Sequence, residues 1–349
     1  MRIAQVAPLF ESVPPRLYGG TERVVSWLTE ELVRQGHEVT LFASGDSETS
    51  ARLIPCAPQA LRLAGVKDPL ALHVLMVERV LQMAHEFDVV HFHIDYLHLP
   101  LMRRIRVPYL TTLHGRLDLP EIYPFYKEFR DAPFVSISDA QRRPLPFINW
   151  VGTVHHGLPR DLYRPSYGPG KYLAFLGRIS PEKRPDRAID LAERVGVPLL
   201  MAAKVDRADQ DYFEEVIKPR LSSPWVEFVG EISEAEKQEF LAGALALLML
   251  IDWPEPFGIV MIEANACGTP VIAWRCGSVP EIIEPGRNGY IVESMEEAEK
   301  AVEELSRISR RECRRVFEER FTAERMARDY LKLYESLRVE EVPLWRKAA

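Results

Sequence analysis

Short runs of β-branched and aliphatic residues alternate with longer stretches of helical periodicity along most of the chain. In the first half the strand-like runs are residues 3–7, 38–43, 89–93, 109–114, 134–137 and 153–155. The same alternation restarts with runs at 172–176, 198–202, 226–229, 245–251, 271–273 and 289–292. Apolar runs of this length, spaced by amphipathic stretches, predict parallel sheets covered on both faces by helices. In the helix predicted at 21–35, Val24, Val25, Leu28 and Leu32 make one apolar face and Gly36 supplies the stop. From Ser294 onward the chain is helical and charged, and Tyr330, Leu331, Leu333, Tyr334 and Leu337 stripe its last helix. The breaker-rich segment from Arg164 to Gly170 reads as a linker. The expected domains are therefore 1–165 and 166–325, followed by a helical segment at 326–349.

A length of 349 residues suits two domains of roughly 150 residues each, and two domains imply a cleft. No apolar run approaches the roughly 20 residues that cross a bilayer, and Met1-Arg2 leads straight into a strand without a signal-peptide pattern. A cytoplasmic location is the expectation. Cys56, Cys267, Cys276 and Cys313 form no C-x-x-C pair, so neither a zinc site nor a disulfide framework is indicated. The net charge of -7 argues against general nucleic-acid binding. Basic and acidic residues balance at 18 each up to residue 165, so the whole deficit lies in the second half.

Four segments could carry chemistry. Tyr18-Gly19-Gly20-Thr21-Glu22-Arg23 opens the first helix, where adjacent glycines let backbone N–H groups approach an anion; a plain turn is the competing reading. His114 follows a parallel strand at its carboxyl end, the edge where such sheets place ligands. His91, His93, His98, His155 and His156 read as ordinary structural histidines, with His91 and His93 partly buried. Arg178 and Lys183 bracket a tight Ser-Pro turn at the exit of the first strand of the second half, so both cations can reach one diphosphate. The alternative is a solvated basic loop. In the fourth segment, Glu255-Pro256-Phe257-Gly258-Ile259-Val260-Met261-Ile262-Glu263, the helix opens at Gly258 or Ile259. Glu255 then precedes the helix and Glu263 lies inside it, about 8 Å along the axis at roughly 1.5 Å per residue. Two carboxylates so placed can grip two hydroxyl-bearing ends of one ligand while the first-turn amides meet its phosphate.

Together these segments resemble glycosyltransferase family 4, retaining enzymes of the GT-B fold with two facing α/β domains of Rossmann-like, parallel-sheet type. The resemblance runs from the Gly-Gly loop through Gly177 to Arg184, Pro254 to Glu263 and Ala266-Cys267-Gly268-Thr269-Pro270, to Gly277-Ser278-Val279-Pro280-Glu281 with Gly289. The two glutamates with seven residues between them and the flanking Pro-Phe-Gly are its specific part. It implies that Arg178 and Lys183 hold the diphosphate, that Glu263 binds the ribose, and that Glu255 binds hydroxyls of the transferred sugar. It also implies donor contacts from the amides of Phe257, Gly258, Ile259 and Val260, a phosphate approach at Gly19 and Gly20, sugar contact at His114, and backbone contacts to the base at Gly230, Glu231 and Ile232. The final helices, with Trp345 nearby, would cross back to the first domain.

The implied reaction is hexosyl transfer from a nucleoside-diphosphate sugar, UDP-glucose ahead of GDP-mannose, to a hydroxyl acceptor. No cofactor and no divalent metal are expected. The acceptor would be a sugar, a small molecule or a lipid-linked molecule, met by loops 9–18 and 116–130. Arg103, Arg104, Arg106, Arg142 and Arg143 could touch an anionic acceptor or a membrane surface, although solvated charges are the simpler reading. The rivals are a sugar-nucleotide epimerase on the same architecture and a homologue that binds nucleotide sugars without turnover.

Overall fold

A computed structural model of the chain describes residues 1–16 and 19–339, so Tyr18 and Trp345 lie outside the described residues. The chain divides into two units, Met1–Gly157 joined by the stretch from Ala323, and Leu158–Thr322. The first changeover thus falls at Gly157 and Leu158 rather than at residue 165. The breaker-rich segment belongs to the second unit, where Ser166 N donates to the Cys267 carbonyl at 2.9 Å and Arg310 Nε donates to the Ser166 carbonyl at 2.8 Å.

The first unit holds β1 (Arg2–Val6), β2 (Glu38–Ser44), β3 (Arg52–Ala57), β4 (Val89–Phe92), β5 (Tyr109–Thr112), β6 (Phe134–Ser136) and β7 (Trp150–Thr153). They pair in parallel in the order β3-β2-β1-β4-β5-β6-β7. The second unit holds β8 (Tyr172–Arg178), β9 (Leu199–Lys204), β10 (Val226–Gly230), β11 (Ala244–Met249), β12 (Val271–Trp274) and β13 (Gly289–Val292). Its order is β10-β9-β8-β11-β12-β13, again all parallel. Both are Rossmann-like sheets whose strand order reverses beside the first strand, at β1/β4 and at β8/β11. Loops leaving the carboxyl ends there diverge and open a crevice, which is where such sheets bind ligands.

The sequence pattern places every strand except β3, and β7 lies three residues earlier than its apolar run. Strand β3 contains Pro55, which cannot donate to a ladder, and it sits at the sheet edge, where that loss is tolerated. In helix Gly20–Arg34 the four apolar residues of the predicted face are fully buried. It ends in a Schellman turn, with Gly36 at φ +86, Gly36 N bonded to the Val33 carbonyl and His37 N to the Leu32 carbonyl. Helix Ala323–Val339 buries Met326, Ala327, Tyr330 and Tyr334 within the first unit.

One buried pair fixes the helix Ile259–Ala266 in the second unit. Asn288 Nδ2 donates to Asn265 Oδ1 at 2.8 Å and to the Ile282 carbonyl at 3.1 Å, and Glu284 N donates to Asn288 Oδ1 at 2.7 Å. Asn265 Nδ2 in turn reaches the carbonyls of Thr269 and Asn288. Both side chains are fully buried, so Asn288→Ala strands several polar groups, each costing about 1–3 kcal/mol. The expected loss is about 3 kcal/mol in urea unfolding of the second unit. A loss below about 1 kcal/mol would show that the pair does not anchor the helix.

Candidate active site

The second unit brings Arg178, Lys183, Glu255 and the start of helix Ile259–Ala266 to the β8/β11 switch point, whereas Gly230, Glu231 and Ile232 follow the edge strand β10. Arg178 is the last residue of β8, and a short turn carries the chain through Lys183 to helix Pro185–Val195. Arg184 takes the left-handed conformation, φ 51, directly before Pro185. Its guanidinium holds Asp186 at 2.8 Å and Asp252 at 3.2 Å, while Asp252 N donates to the Glu182 carbonyl at 2.9 Å. These bonds sew the Lys183 turn to the loop that leaves β11.

That stitching sets Lys183 against Glu255. The Lys183 ammonium donates to Glu255 Oε2 and lies 4.9 Å above the Trp253 ring, and Trp253 Nε1 donates to the same Oε2 at 3.1 Å. The other oxygen, Oε1, has no hydrogen-bond partner among the described residues. Gly277 explains how the loop fits. Its φ is +55, and a Cβ there would stand 2.4 Å from Glu255 N and 2.5 Å from Glu255 O, so only glycine lets the strands of chain cross. Ser278 N and Oγ then hold the carbonyls of Glu255 and Phe257 at 3.0 and 2.7 Å.

The helix that follows starts with Gly258 as N-cap, φ 77 and ψ 67, and no side chain caps it. Its first-turn N–H groups, at Ile259 and Val260, are the kind that an anion satisfies. Phe257 turns its ring into the core against Phe321, leaving only its backbone to a ligand. Glu263, one turn in, is 4% exposed; Lys237 Nζ lies 2.9 Å from its Oε1 and the Tyr163 hydroxyl 3.2 Å from the same atom. Tyr163 also donates to Glu234, and burial beside these two carboxylates holds its phenol well above the usual range. Each glutamate of the pair thus has one oxygen fixed by a lysine, with the Trp253 N–H as a second donor at Glu255 and the Tyr163 hydroxyl beside Glu263.

Arg178 is not on the same partner as Lys183. Its guanidinium meets Glu182 at 2.6 Å, Asp209 at 3.4 Å and Asp206 at 3.7 Å. The two cations therefore have separate carboxylate partners in this structure. Gly230 ends β10 in the left-handed region, φ +77, with open space where a side chain would be, and Glu231 and Ile232 lead from it to the capping box of Ser233 and Glu236. The sequence reading had no signal for Trp253, Lys237 or Tyr163 as partners of the two glutamates.

In the first unit, Gly19 is an extended N-cap, and what demands glycine is space, since a Cβ would lie 2.9 Å from Pro15. Gly20 is the exposed first residue of the helix. His114, two residues past β5, joins a buried polar chain that the sequence did not reveal. Its Nε2 lies 2.8 Å from His93 Nδ1, and His93 Nε2 lies 2.8 Å from Gln5 Oε1. Gln5 Nε2 donates to the Tyr334 hydroxyl at 3.0 Å, and that hydroxyl lies 2.7 Å from His91 Nδ1. His91 Nε2 reaches Thr112 Oγ1 at 2.7 Å, and Thr112 reaches the Tyr330 hydroxyl at 2.9 Å. His91 and His93 are fully enclosed rather than partly buried. The signal was present in register, because Gln5 pairs with His91 across β1 and β4, and His93 and His114 continue the same face. Among the acceptor-side arginines, Arg103 is engaged by Glu128 and Asp131 and covers the Phe129 ring, and Arg142 binds Ser136.

Two successive units, each with a parallel sheet of Rossmann-like order, are the architecture of the GT-B class of glycosyltransferases. The chain belongs to the family 4-like members of that class: residues 18–189 match the model of Glycosyltransferase Family 4 and residues 164–323 that of Glycosyl transferases group 1. A D-inositol 3-phosphate glycosyltransferase of Streptomyces scabiei is 29% identical over 172 residues, a segment spanning 42% of this chain and 38% of that protein. Among solved structures, a glycosyltransferase involved in avilamycin A biosynthesis superposes with a TM-score of 0.77 at 24% identity, covering 97% of this chain and 98% of its own. HepE from Anabaena, in complex with UDP, gives 0.73 at 19% identity, covering 96% and 100%. Among the described residues no helix is long and apolar enough to cross a membrane.

The histidine cluster has a measurable consequence. Burial holds His91, His93 and His156 well below 6.5 and pushes His98 and His114 down to about 3. The unfolded chain takes up these protons below about pH 6.5 and the folded unit does not, so stability is intact above that pH and falls as pH drops. Each histidine contributes about 1.4 kcal/mol per pH unit. Glu22, raised by burial to about 7, acts in the opposite sense, because the folded state binds its proton first and gains as pH falls from 7. Several such protons, only partly offset by Glu22, remove a stability of about 5–15 kcal/mol within a few pH units. Acid unfolding of the first unit should therefore set in between pH 6 and 4, steeply, by circular dichroism against pH. A stability flat from pH 6.5 to 5 would contradict it.

Proposed function

We propose that this protein transfers a hexosyl group from a nucleoside-diphosphate sugar to a hydroxyl acceptor, with retention of anomeric configuration and without a divalent metal. The observation that carries this reading is the Lys183–Glu255 pair beside the uncapped start of helix Ile259–Ala266. A diphosphate arriving at those N–H groups brings more negative charge than one carboxylate, and Lys183 can exchange Glu255 for it. Glu255, still held by Trp253, then turns its acceptor oxygens to hydroxyls of the sugar. Glu263 offers its second oxygen to the ribose, the turn at Gly230, Glu231 and Ile232 meets the base, and His114 meets a hydroxyl of the transferred sugar.

Bond changes follow from these contacts. The bond from the anomeric carbon to the phosphate oxygen breaks, the acceptor oxygen bonds to that carbon from the same face, and the acceptor proton passes to the departing phosphate oxygen. Lys183, Arg178 and the helix N–H groups stabilise the charge that grows on the diphosphate. UDP and UDP-glucose, the ligands bound to Anabaena HepE, are the first to test, with GDP and GDP-mannose as competitors.

Three measurements check the reading. Chelator should leave donor binding and transfer unchanged, and loss of either would overturn the metal-free part. In calorimetric titrations Glu263→Gln should weaken UDP and the UDP-sugar alike by about tenfold, whereas Glu255→Gln should spare UDP and penalise the sugar donor by a similar factor. Equal losses for UDP in two folded variants would sink this division of labour. Product analysis of the anomer separates retention from inversion, and the absence of any transfer would leave only binding.

A further inference from the structure

Proton positions in the buried chain of the first unit can be followed atom by atom. The Gln5 amide nitrogen donates to the Tyr334 oxygen, so the Tyr334 proton is directed to the other neighbour, His91 Nδ1. The Gln5 amide oxygen can only accept, so His93 Nε2 carries a proton. A neutral imidazole protonated at Nε2 is an acceptor at Nδ1, and that atom faces His114 Nε2 at 2.8 Å. His114 must then carry its own proton at Nε2. Its Nδ1 makes no hydrogen bond among the described residues.

We propose that Gln5, His93 and Tyr334 are positioning residues that lock His114 in the neutral Nε2–H tautomer, so that its Nδ1 serves only as a hydrogen-bond acceptor. An acceptor at this place reads a ligand O–H and discriminates against a phosphate oxygen, which has no proton to give at neutral pH. Tyr334 lies on helix Ala323–Val339, so a helix far along the chain sets the protonation of a group two residues past β5. The part that concerns a sugar hydroxyl rests on the function proposed above; the tautomer does not.

The test uses the full chain labelled with nitrogen-15 at histidine, and long-range proton–nitrogen correlation spectra. The His114 signals, identified by their loss in His114→Gln, should show the Nε2–H pattern. Tyr334→Phe keeps the ring in the core and removes the hydroxyl that orients Gln5, and Gln5→Leu removes the acceptor outright. Both should convert His114 to a mixture of tautomers and lower kcat/KM for transfer about fivefold, with UDP affinity unchanged. A wild-type His114 protonated at Nδ1, or an Nε2–H pattern that persists in both folded variants, overturns the proposal. Were the tautomers to respond as stated while transfer did not, the lock would stand and the assignment of His114 to the sugar would fall.

Discussion

A polar group taken out of water must find its partner inside the protein, and both units are organised around that requirement. An unpaired buried donor or acceptor costs about 1–3 kcal/mol, against a net stability of about 5–15 kcal/mol, so each such pairing weighs on the balance. In the first unit the middle of the sheet presents Gln5, His91, His93 and Thr112 to its cover, which answers with two tyrosine hydroxyls. In the second, buried Arg314 satisfies the carbonyls of Arg160, Tyr163 and Ala266, and Arg310 those of Ser166, Ala242 and Ala244. Glu263 is met by the same logic, with Lys237 and the Tyr163 hydroxyl at its Oε1. The candidate site is what this accounting leaves at the strand ends.

Electrostatically the site is held in readiness rather than open. Lys183 and Arg178 are both engaged by carboxylates, so neither stands as a bare positive charge before a ligand arrives. In the function proposed above, exchange of one anionic partner for another would keep the ammonium paired throughout and tie release of Glu255 to arrival of the phosphates. The Trp253 indole N–H on Oε2 is a second tether on Glu255, independent of Lys183.

The sheets were readable because parallel strands buried on both faces are short unbroken apolar runs. β3 escaped because Pro55 contradicts the pattern of a central strand, and only its edge position makes it acceptable. Glu255 and Glu263 could be singled out because a carboxylate in an apolar stretch is conspicuous and their spacing is local. Their partners were invisible for the opposite reason: Lys237 and Tyr163 reach Glu263 across 26 and 100 residues, and no periodicity encodes a contact made by folding. The same holds for His114, whose partner His93 was in view as half of a strand alternation but whose controlling residue, Tyr334, lies on helix Ala323–Val339. Gly277 was visible as a glycine, yet the need for it arises only where the Glu255 backbone passes.

The first unit is discontinuous in sequence, and synthesis from the ribosome makes that a matter of timing. Its strands emerge first, then the whole of Leu158–Thr322, and only afterwards the helix carrying Tyr330 and Tyr334. At about 5–20 residues per second the wait is roughly 10–30 s. During it the polar face of Gln5, His91, His93 and Thr112 lacks its cover and must be hydrated. The second unit, contiguous in the chain, meets no such delay and can close while the first is still incomplete, so the nascent protein acquires the glutamate pair before it acquires a fixed His114.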